Sequence, residues 1–205
     1  MRNVIDLQVV ETKRRISSPG YRKRLMAVYG PHVVNNPRMR ERFTHIHMLV
    51  GLGRCVEEQL FTAKPKGIVD HHSWMQRPLS KKHLDYASHD AYLISQLLAT
   101  FEKRGLTNNS DIVLQSNRYI SIWNDKQPRK GDCYRSNPFF PLGIFDYRDD
   151  SDEVSARCDG CKRNLSAASF PSVGLDVSGT YCHICDLIPK WKENQRYLDN
   201  VRGRK

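Results

Sequence analysis

Four cysteines in two Cys-x-x-Cys pairs form the strongest chemical motif of the 205-residue chain. Cys158 and Cys161 make the first pair, and Cys182 and Cys185 make the second after twenty intervening residues. Each pair can form a tight turn whose backbone amides point at the thiolates, and two such turns close a tetrahedral sulfur shell around zinc. Because all four positions are then filled by protein, we expect a structural zinc in a zinc-ribbon or treble-clef module.

Other roles for these cysteines stay open from spacing alone: two disulfides, iron–sulfur ligation or a redox dithiol. The chain starts without the apolar segment of a signal peptide, which favours a reducing compartment and metal binding. Lys162 and Arg163 would offset the negative charge of four thiolates, and His183 is an alternative ligand. Cys55 is expected to be a buried small hydrophobe, and Cys133 has no partner at ligand spacing.

The clearest helix is predicted between Ser80, a suitable N-cap, and Gly105, which ends the run. Tyr86 and Asp90 lie one turn apart on the same face of this helix. A phenol beside a carboxylate can position a water next to a metal ion that the carboxylate holds. The same spacing also occurs as a half-buried aromatic ring beside a solvated charge. Apolar residues at helical spacing predict one buried face: Leu84, Leu93, Ile94, Leu97, Leu98 and Phe101.

This helix and the residues before it carry a family resemblance. Trp74, the run RPL at 77–79, LDYA at 84–87 and DAY at 90–92 resemble the third motif, Tyr-x-x-x-Asp, of the DEDDy 3′–5′ exonucleases, which include ribonuclease D and the Werner-type exonuclease domain. Residues 4–8 and 49–55 are similar to a strand and a helix of that family, so that the resemblance covers roughly residues 1 to 105. It implies an RNase H-like fold in which Tyr86 orients the attacking water and Asp90 holds Mg²⁺ or Mn²⁺.

The resemblance lacks two parts of the family's active site. An Asp-x-Glu sequence is absent from all 205 residues, and no Asp matches the second motif. Two divalent metals need several oxygen ligands, and one carboxylate supplies too few. We therefore expect a truncated or pseudo-enzyme domain, the C-terminal half only, without catalytic competence on its own. Mg²⁺ or Mn²⁺ would bind only if a protein partner supplied the missing half.

The chain is strongly basic, with 33 Lys and Arg against 22 Asp and Glu and a net charge of +11. Such an excess predicts a polyanionic partner, first of all RNA or DNA. The candidate contacts are Arg77, Lys81, Lys82 and Trp191. A solvated basic surface is the alternative, and with it a zinc-dependent scaffold that has no nucleic-acid role. The sequence contains no apolar run of about 18 residues, so we expect no membrane partner and an intracellular location, nuclear or cytoplasmic.

The predicted fold class is α/β: a partial RNase H-like domain, mostly helical, followed by a small zinc module. The predicted boundaries are 1–110 for the exonuclease-like part, 111–153 for an extension with an acidic linker, 154–190 for the zinc module and 191–205 for a basic tail. Within the first part we predict a short strand over 3–10 that turns into a helix carrying Glu11 to Arg15, and a helix over 44–61 capped by Thr44. Residues 21–42, interrupted by Pro31 and Pro37, are predicted as a loop or an extended insertion with at most one helical turn. Residues 111–123 are predicted as either helix or strand.

Overall fold

A computed structural model describes residues 4–29, 31–60, 69–124, 132, 137–146, 155–166, 169–171 and 181–202. Within these ranges the chain forms eight α-helices and two antiparallel sheets of two strands each. The helical character predicted for the N-terminal part is confirmed. Two-stranded sheets are too small to form the central sheet of an RNase H-like fold. The predicted RNase H-like sheet is therefore not seen among the described residues.

Helix α1 spans Leu7–Ile16. The strand predicted over 3–10 is therefore wrong for the described residues, whereas the helix predicted for Glu11 to Arg15 is confirmed. The Asp6 carboxylate accepts a hydrogen bond from the Gln8 amide at 2.8 Å, which satisfies one of the free N–H groups at a helix start. Val9 and Val10 are both buried. The apolar run is therefore the buried face of a helix.

Three short helices replace the loop predicted over residues 21–42: α2 (Tyr21–Tyr29), α3 (Pro31–Val34) and α4 (Pro37–Phe43). The two prolines that suggested a broken segment each open a helix, where proline is tolerated because the first N–H has no helical partner. Asn36 caps α4 by accepting from the Met39 amide at 3.2 Å.

The helix predicted over 44–61 is replaced by strand β1 (Ile46–Met48) and helix α5 (Leu52–Leu60). Strand β1 pairs with β2 (Phe139–Pro141), in register Ile46 with Pro141. Thr44 ends α4 and does not cap α5. The partner strand lies more than ninety residues away along the chain, so local periodicity gives no sign of this pairing.

Helix α6 spans Lys81–Lys103 with Ser80 as its N-cap, and Gly105 beyond its end has a φ of +70°, as the sequence predicted. A short 3₁₀ turn, His71–Met75, precedes it. Helix α7 (Ser110–Asn124) settles the alternative between helix and strand.

The predicted apolar face of α6 is buried only in its second half. Leu93, Leu97 and Phe101 are buried, whereas Leu84 is 52% exposed and Ile94 is 46% exposed. The buried residues join a cluster with α1, α5 and α7, which includes Val10, Cys55, Val56 and Ile112. The first half of α6 is therefore covered only in part, by Trp74 against His83 and Tyr86.

The C-terminal elements are a hairpin of β3 (Ser155–Arg157) and β4 (Asn164–Ser166), and helix α8 (His183–Arg202). The predicted tail is part of α8 as far as Arg202, while 203–205 and the linker residues 147–153 lie outside the described ranges. A 3₁₀ turn, Leu142–Phe145, follows β2.

The larger of the two buried clusters joins the hairpin and α8 to the N-terminal helices. The four motif cysteines and Leu187 pack in the same cluster as Val9, Phe43 and Phe140. Arg42 of α4 also reaches Asp186 of α8 at 3.2 Å. Among the helices that the structure describes, none combines the length and apolar character needed to span a membrane.

Candidate metal centre

The first cysteine pair sits in the turn of the β3–β4 hairpin. The Lys162 amide donates to the Cys158 carbonyl at 2.8 Å, and the Cys158 amide donates to the Arg163 carbonyl at 2.9 Å. Lys162 has a φ of +60°, a left-handed conformation that closes the turn. These two bonds bring the Cys158 and Cys161 side chains to the same side of the hairpin tip.

The second pair lies at the start of α8. The Cys182 amide donates to the Cys158 sulfur at 3.3 Å, so the backbone of one pair contacts the thiol of the other. Cys185 follows within the first turn of the helix. A helix N-terminus stabilises negative charge nearby. In the absence of a metal ion, hydrogen bonds with Cys158 and Cys161 raise the pKa of the Cys182 thiol.

All four predicted ligands come together. Their sulfur atoms lie within 4.8 Å of one another, all four side chains are buried, and no disulfide joins them. Tetrahedral zinc with Zn–S bonds of about 2.3 Å holds its sulfurs roughly 3.8 Å apart, a separation compatible with four sulfurs that all lie within 4.8 Å of one another. The donor set therefore fits a four-coordinate thiolate metal site, and the two-disulfide alternative is not the one that the structure adopts.

Hydrogen bonds among the thiols favour deprotonation at one position. Bonds from Cys161, Cys182 and Cys185 lower the pKa of the Cys158 thiol. Gly160 allows the close packing of the two pairs, because a Cβ at this position would lie 2.8 Å from both the Cβ and the sulfur of Cys185. The contact with the second pair therefore favours glycine at this position.

Arg163 connects the centre to the rest of the core. Its side chain is 2% exposed, donates to the Ile122 carbonyl at 2.6 Å and to Asp132 at 2.9 Å, and also hydrogen-bonds to Cys161. The sequence predicted that this residue offsets thiolate charge, but it gave no sign of the Asp132 partner 31 residues away. Exposed Lys162, by contrast, lies 3.6 Å from Asp159.

His183 is buried but is not part of the four-ligand group. Its ring stacks on that of His45 with centroids 4.1 Å apart and an interplanar angle of 8°. Burial, followed by the neighbouring His45, lowers the pKa of His183 to about 4, so the ring is neutral at pH 7. The predicted alternative of histidine replacing a cysteine is therefore not realised.

The predicted catalytic pair lies on the outer half of α6. Tyr86 and Asp90 are both half-buried, and the Trp74 ring meets Tyr86 edge-on at 6.0 Å. The His83 ring also meets the Trp74 ring edge-on, with ring centroids 4.9 Å apart. In the described ranges the four cysteines form the sole group of three or more His, Cys, Asp or Glu side chains placed to hold one metal ion, so Asp90 belongs to no such group.

Three of the predicted nucleic-acid contacts surround the start of α6. Arg77, Lys81 and Lys82 are exposed, and the Arg77 guanidinium donates to the Trp74 carbonyl at 2.8 Å. Trp191 lies elsewhere, on α8, where its half-buried ring packs edge-on against Phe139 at 5.3 Å. The structure thus groups the three cations and places Trp191 against the core.

The two remaining cysteines differ in what the structure describes. Cys55 is buried in the smaller cluster, as predicted, and burial raises the pKa of its thiol to about 12. A thiol with this pKa stays protonated at pH 7 and is a poor nucleophile or ligand. Cys133 lies outside the described residues.

The chain matches no protein-family model, and comparison with curated proteins and with solved structures yields no match.

Proposed function

We propose that this protein binds single-stranded nucleic acid at the start of α6, as a non-catalytic relative of the DEDDy 3′–5′ exonucleases whose fold is held by a structural zinc. The exposed cations Arg77, Lys81 and Lys82 carry the binding part of this proposal. They flank the half-buried rings of Trp74 and Tyr86, and cations beside aromatic rings are the usual composition of surfaces that bind single strands.

The metal is proposed to be zinc in a treble-clef arrangement. One cysteine pair on a hairpin turn and the other at a helix start is the arrangement that distinguishes this module from a ribbon built of two hairpins. Four buried thiolates suit zinc, and with no position left for water the ion would stabilise the fold without activating a nucleophile.

The absence of catalysis follows from the ligand count. Phosphodiester hydrolysis by paired metals needs several carboxylates around two ions. Of that set, only Asp90 has a counterpart in this chain by resemblance. We propose that a catalytic complex would need a second protein chain to supply the missing carboxylates and the rest of the RNase H-like domain. By itself the α6 surface would hold a strand without cutting it.

Binding and cleavage can be tested together on a 3′-labelled single-stranded oligonucleotide, as DNA and as RNA, with Mg²⁺ or Mn²⁺. The expected result is binding without loss of label. Each phosphate contact on a single strand contributes about 0.7 to the slope of log K against log salt. Lys81→Ala with Lys82→Ala should therefore lower that slope by roughly 1.4 and weaken binding.

The matched control removes two exposed lysines from other surfaces, Lys103→Ala with Lys192→Ala. This variant loses the same charge and should keep the slope. Equal losses in both variants would show that net charge and not the α6 surface binds the strand. Loss of label that Asp90→Ala and Tyr86→Phe both abolish would overturn the non-catalytic proposal.

A zinc-stabilised scaffold without a nucleic-acid role is the second candidate. The observation that favours it is the burial of the cysteine centre in the same core as the N-terminal helices, which makes the metal a fold-stabilising element. This candidate predicts no oligonucleotide binding at low salt, in either the wild type or the variants.

A further inference from the structure

An arginine-lined cavity of about 590 Å³ lies away from both the cysteine centre and the exposed half of α6. Its volume is within the range of about 300–1,000 Å³ that is common for small-molecule sites. The wall is formed by α1, α2 and the segment from β1 to α5. Four arginines line it, together with an apolar wall: Arg14, Arg15, Arg24 and Arg54, and Leu25, Met48, Leu49 and Val50.

The cavity keeps an excess of positive charge after its internal ion pairs are counted. Glu11 accepts from both Arg14 and Arg15, and Glu58 pairs with Arg15 and Arg54. Four guanidinium charges against these two carboxylates leave an excess of two. Arg24 bonds only to neutral acceptors in the hydrogen bonds that the structure gives it, the Pro19 carbonyl at 2.7 Å and the Ser18 hydroxyl at 2.6 Å.

A buried histidine adds an unused hydrogen-bonding group to the same wall. His47 is 5% exposed, and its Nε2 has no hydrogen-bond partner among the described residues. The Tyr21 hydroxyl lies 2.8 Å from its Nδ1. When that hydroxyl donates to Nδ1, the neutral ring carries its proton on Nε2.

Both of these groups are uncharged at pH 7. Burial raises the pKa of Tyr21 to about 12, so its hydroxyl remains intact at pH 7. Burial, with the charge of Arg15 as a smaller cause, lowers the pKa of His47 to about 4, so the ring is neutral. A buried polar atom without a partner is costly, and Nε2 is covered, so the arginines and not His47 carry the binding of an anion.

We propose that this cavity binds a phosphate monoester carried on an apolar or planar body of nucleotide size. Guanidinium groups bind phosphate in paired hydrogen bonds, and the Met48–Val50 wall suits a nucleoside. The site uses no residue of the zinc centre or of the α6 surface, so it goes beyond the proposed function and stands independently of it.

Calorimetric titration of the full-length, zinc-loaded protein with adenosine monophosphate, adenosine and inorganic phosphate tests the site. We expect one nucleotide per chain, with adenosine at least tenfold weaker because it lacks the phosphate. Arg24→Glu should weaken nucleotide binding by roughly 10- to 100-fold, since it removes a charged hydrogen bond and adds repulsion. Tyr21→Phe should weaken it by about tenfold.

Arg22→Glu is the matched control, because Arg22 is an exposed neighbour on α2 that does not line the cavity. It should bind the nucleotide as the wild type does. Failure of the wild type to bind either phosphate ligand, or equal binding by wild type and Arg24→Glu, would overturn the proposal. So would equal weakening by Arg22→Glu and Arg24→Glu, which indicates a general charge effect.

The phosphate could be that of a free nucleotide or of a nucleic-acid end. A short oligonucleotide with and without a 5′-phosphate distinguishes them: tighter binding of the phosphorylated oligonucleotide than of the mononucleotide assigns the site to strand ends, and weaker binding assigns it to free nucleotides. Both results support a phosphate site. Lys81→Ala with Lys82→Ala should leave mononucleotide binding unchanged, which separates this site from the α6 surface.

Discussion

The cysteine centre and the first half of α6 were both predicted from the sequence to bind metal, but they differ in how many suitable side chains the fold brings together. The centre gathers four sulfurs within 4.8 Å from two segments that are buried in a shared core. The α6 surface offers Asp90 and Tyr86 on a half-covered helix, where no group of three metal-binding side chains includes Asp90 within the described residues.

This difference shows what short motifs can and cannot build. A Cys-x-x-Cys turn supplies two ligands from four consecutive residues, so two turns complete a site with only one long-range contact. A Tyr-x-x-x-Asp helix supplies one carboxylate, and every other metal ligand must come from elsewhere in the fold. The two cysteine motifs therefore supply all four ligands of their site. The α6 motif supplies one ligand and needs further carboxylates from other parts of a fold.

Removal of the metal should have the largest effect. Structural zinc contributes about 10–16 kcal/mol of apparent folding free energy in zinc-finger peptides. Because the cysteines pack in the larger core cluster, Cys182→Ser or zinc chelation should abolish cooperative thermal unfolding of the whole protein, and not only of the hairpin. Elemental analysis should find one zinc per chain in the wild type and in Cys55→Ala. An unchanged melting profile after chelation would contradict a structural role.

The two halves of α6 should differ sharply in their contribution to stability. Phe101→Ala removes a fully buried ring and should cost about 3–5 kcal/mol in the free energy of unfolding. Leu84→Ala removes a side chain that is 52% exposed and should change stability by less than about 0.5 kcal/mol. Urea unfolding measures both. A large loss in Leu84→Ala would mean that the first half of α6 is covered in solution.

Acid should destabilise the core through His47 as well as through the metal centre. The pKa of His47 is about 4 when folded and 6.5 ordinarily, so the unfolded chain binds more protons between these values. Stability is then fully present above pH 6.5 and is lost as the pH falls toward 4, by about 2 kcal/mol between pH 7 and pH 5. In urea unfolding, His47→Gln should lose less stability over that interval. An identical loss in the variant would place the acid sensitivity elsewhere, at the cysteine centre or at His183.

The smallest effect concerns the fit of the two cysteine pairs. Gly160→Ala places a Cβ 2.8 Å from Cys185 and should weaken zinc binding by roughly tenfold, measured by competition with a chelating dye. Gly53→Ala is the control, since its Cβ would meet no atom within 4 Å, and it should stabilise α5 by roughly 0.8–1 kcal/mol without changing zinc affinity. Unaltered zinc affinity in Gly160→Ala would show that the two cysteine pairs can move apart enough to accommodate the added Cβ and still bind zinc.

Errors in the sequence interpretation cluster in the N-terminal third. Residues 3–10 were predicted as a strand turning into a helix, but the Asp6 cap and the buried Val9–Val10 face place residues from Leu7 onwards in a helix. Pro31 and Pro37 were interpreted as breaks although each opens a helix. The apolar run and the prolines were correctly noticed in the sequence. What they form depends on their position relative to the start of a helix, because a cap residue or a proline at that start favours the helix.

By itself the sequence determined the four cysteines of the candidate metal centre and both ends of α6. The cysteine turns, the Ser80 cap and the left-handed Gly105 depend on contacts within a few residues, which spacing and residue type encode. Only the tertiary structure decided the rest: the pairing of β1 with β2, the Arg163–Asp132 contact, the burial of the second half of α6 and the gathering of four arginines around His47. These join distant parts of the chain, and they depend on which surfaces pack together when the helices assemble into a common core.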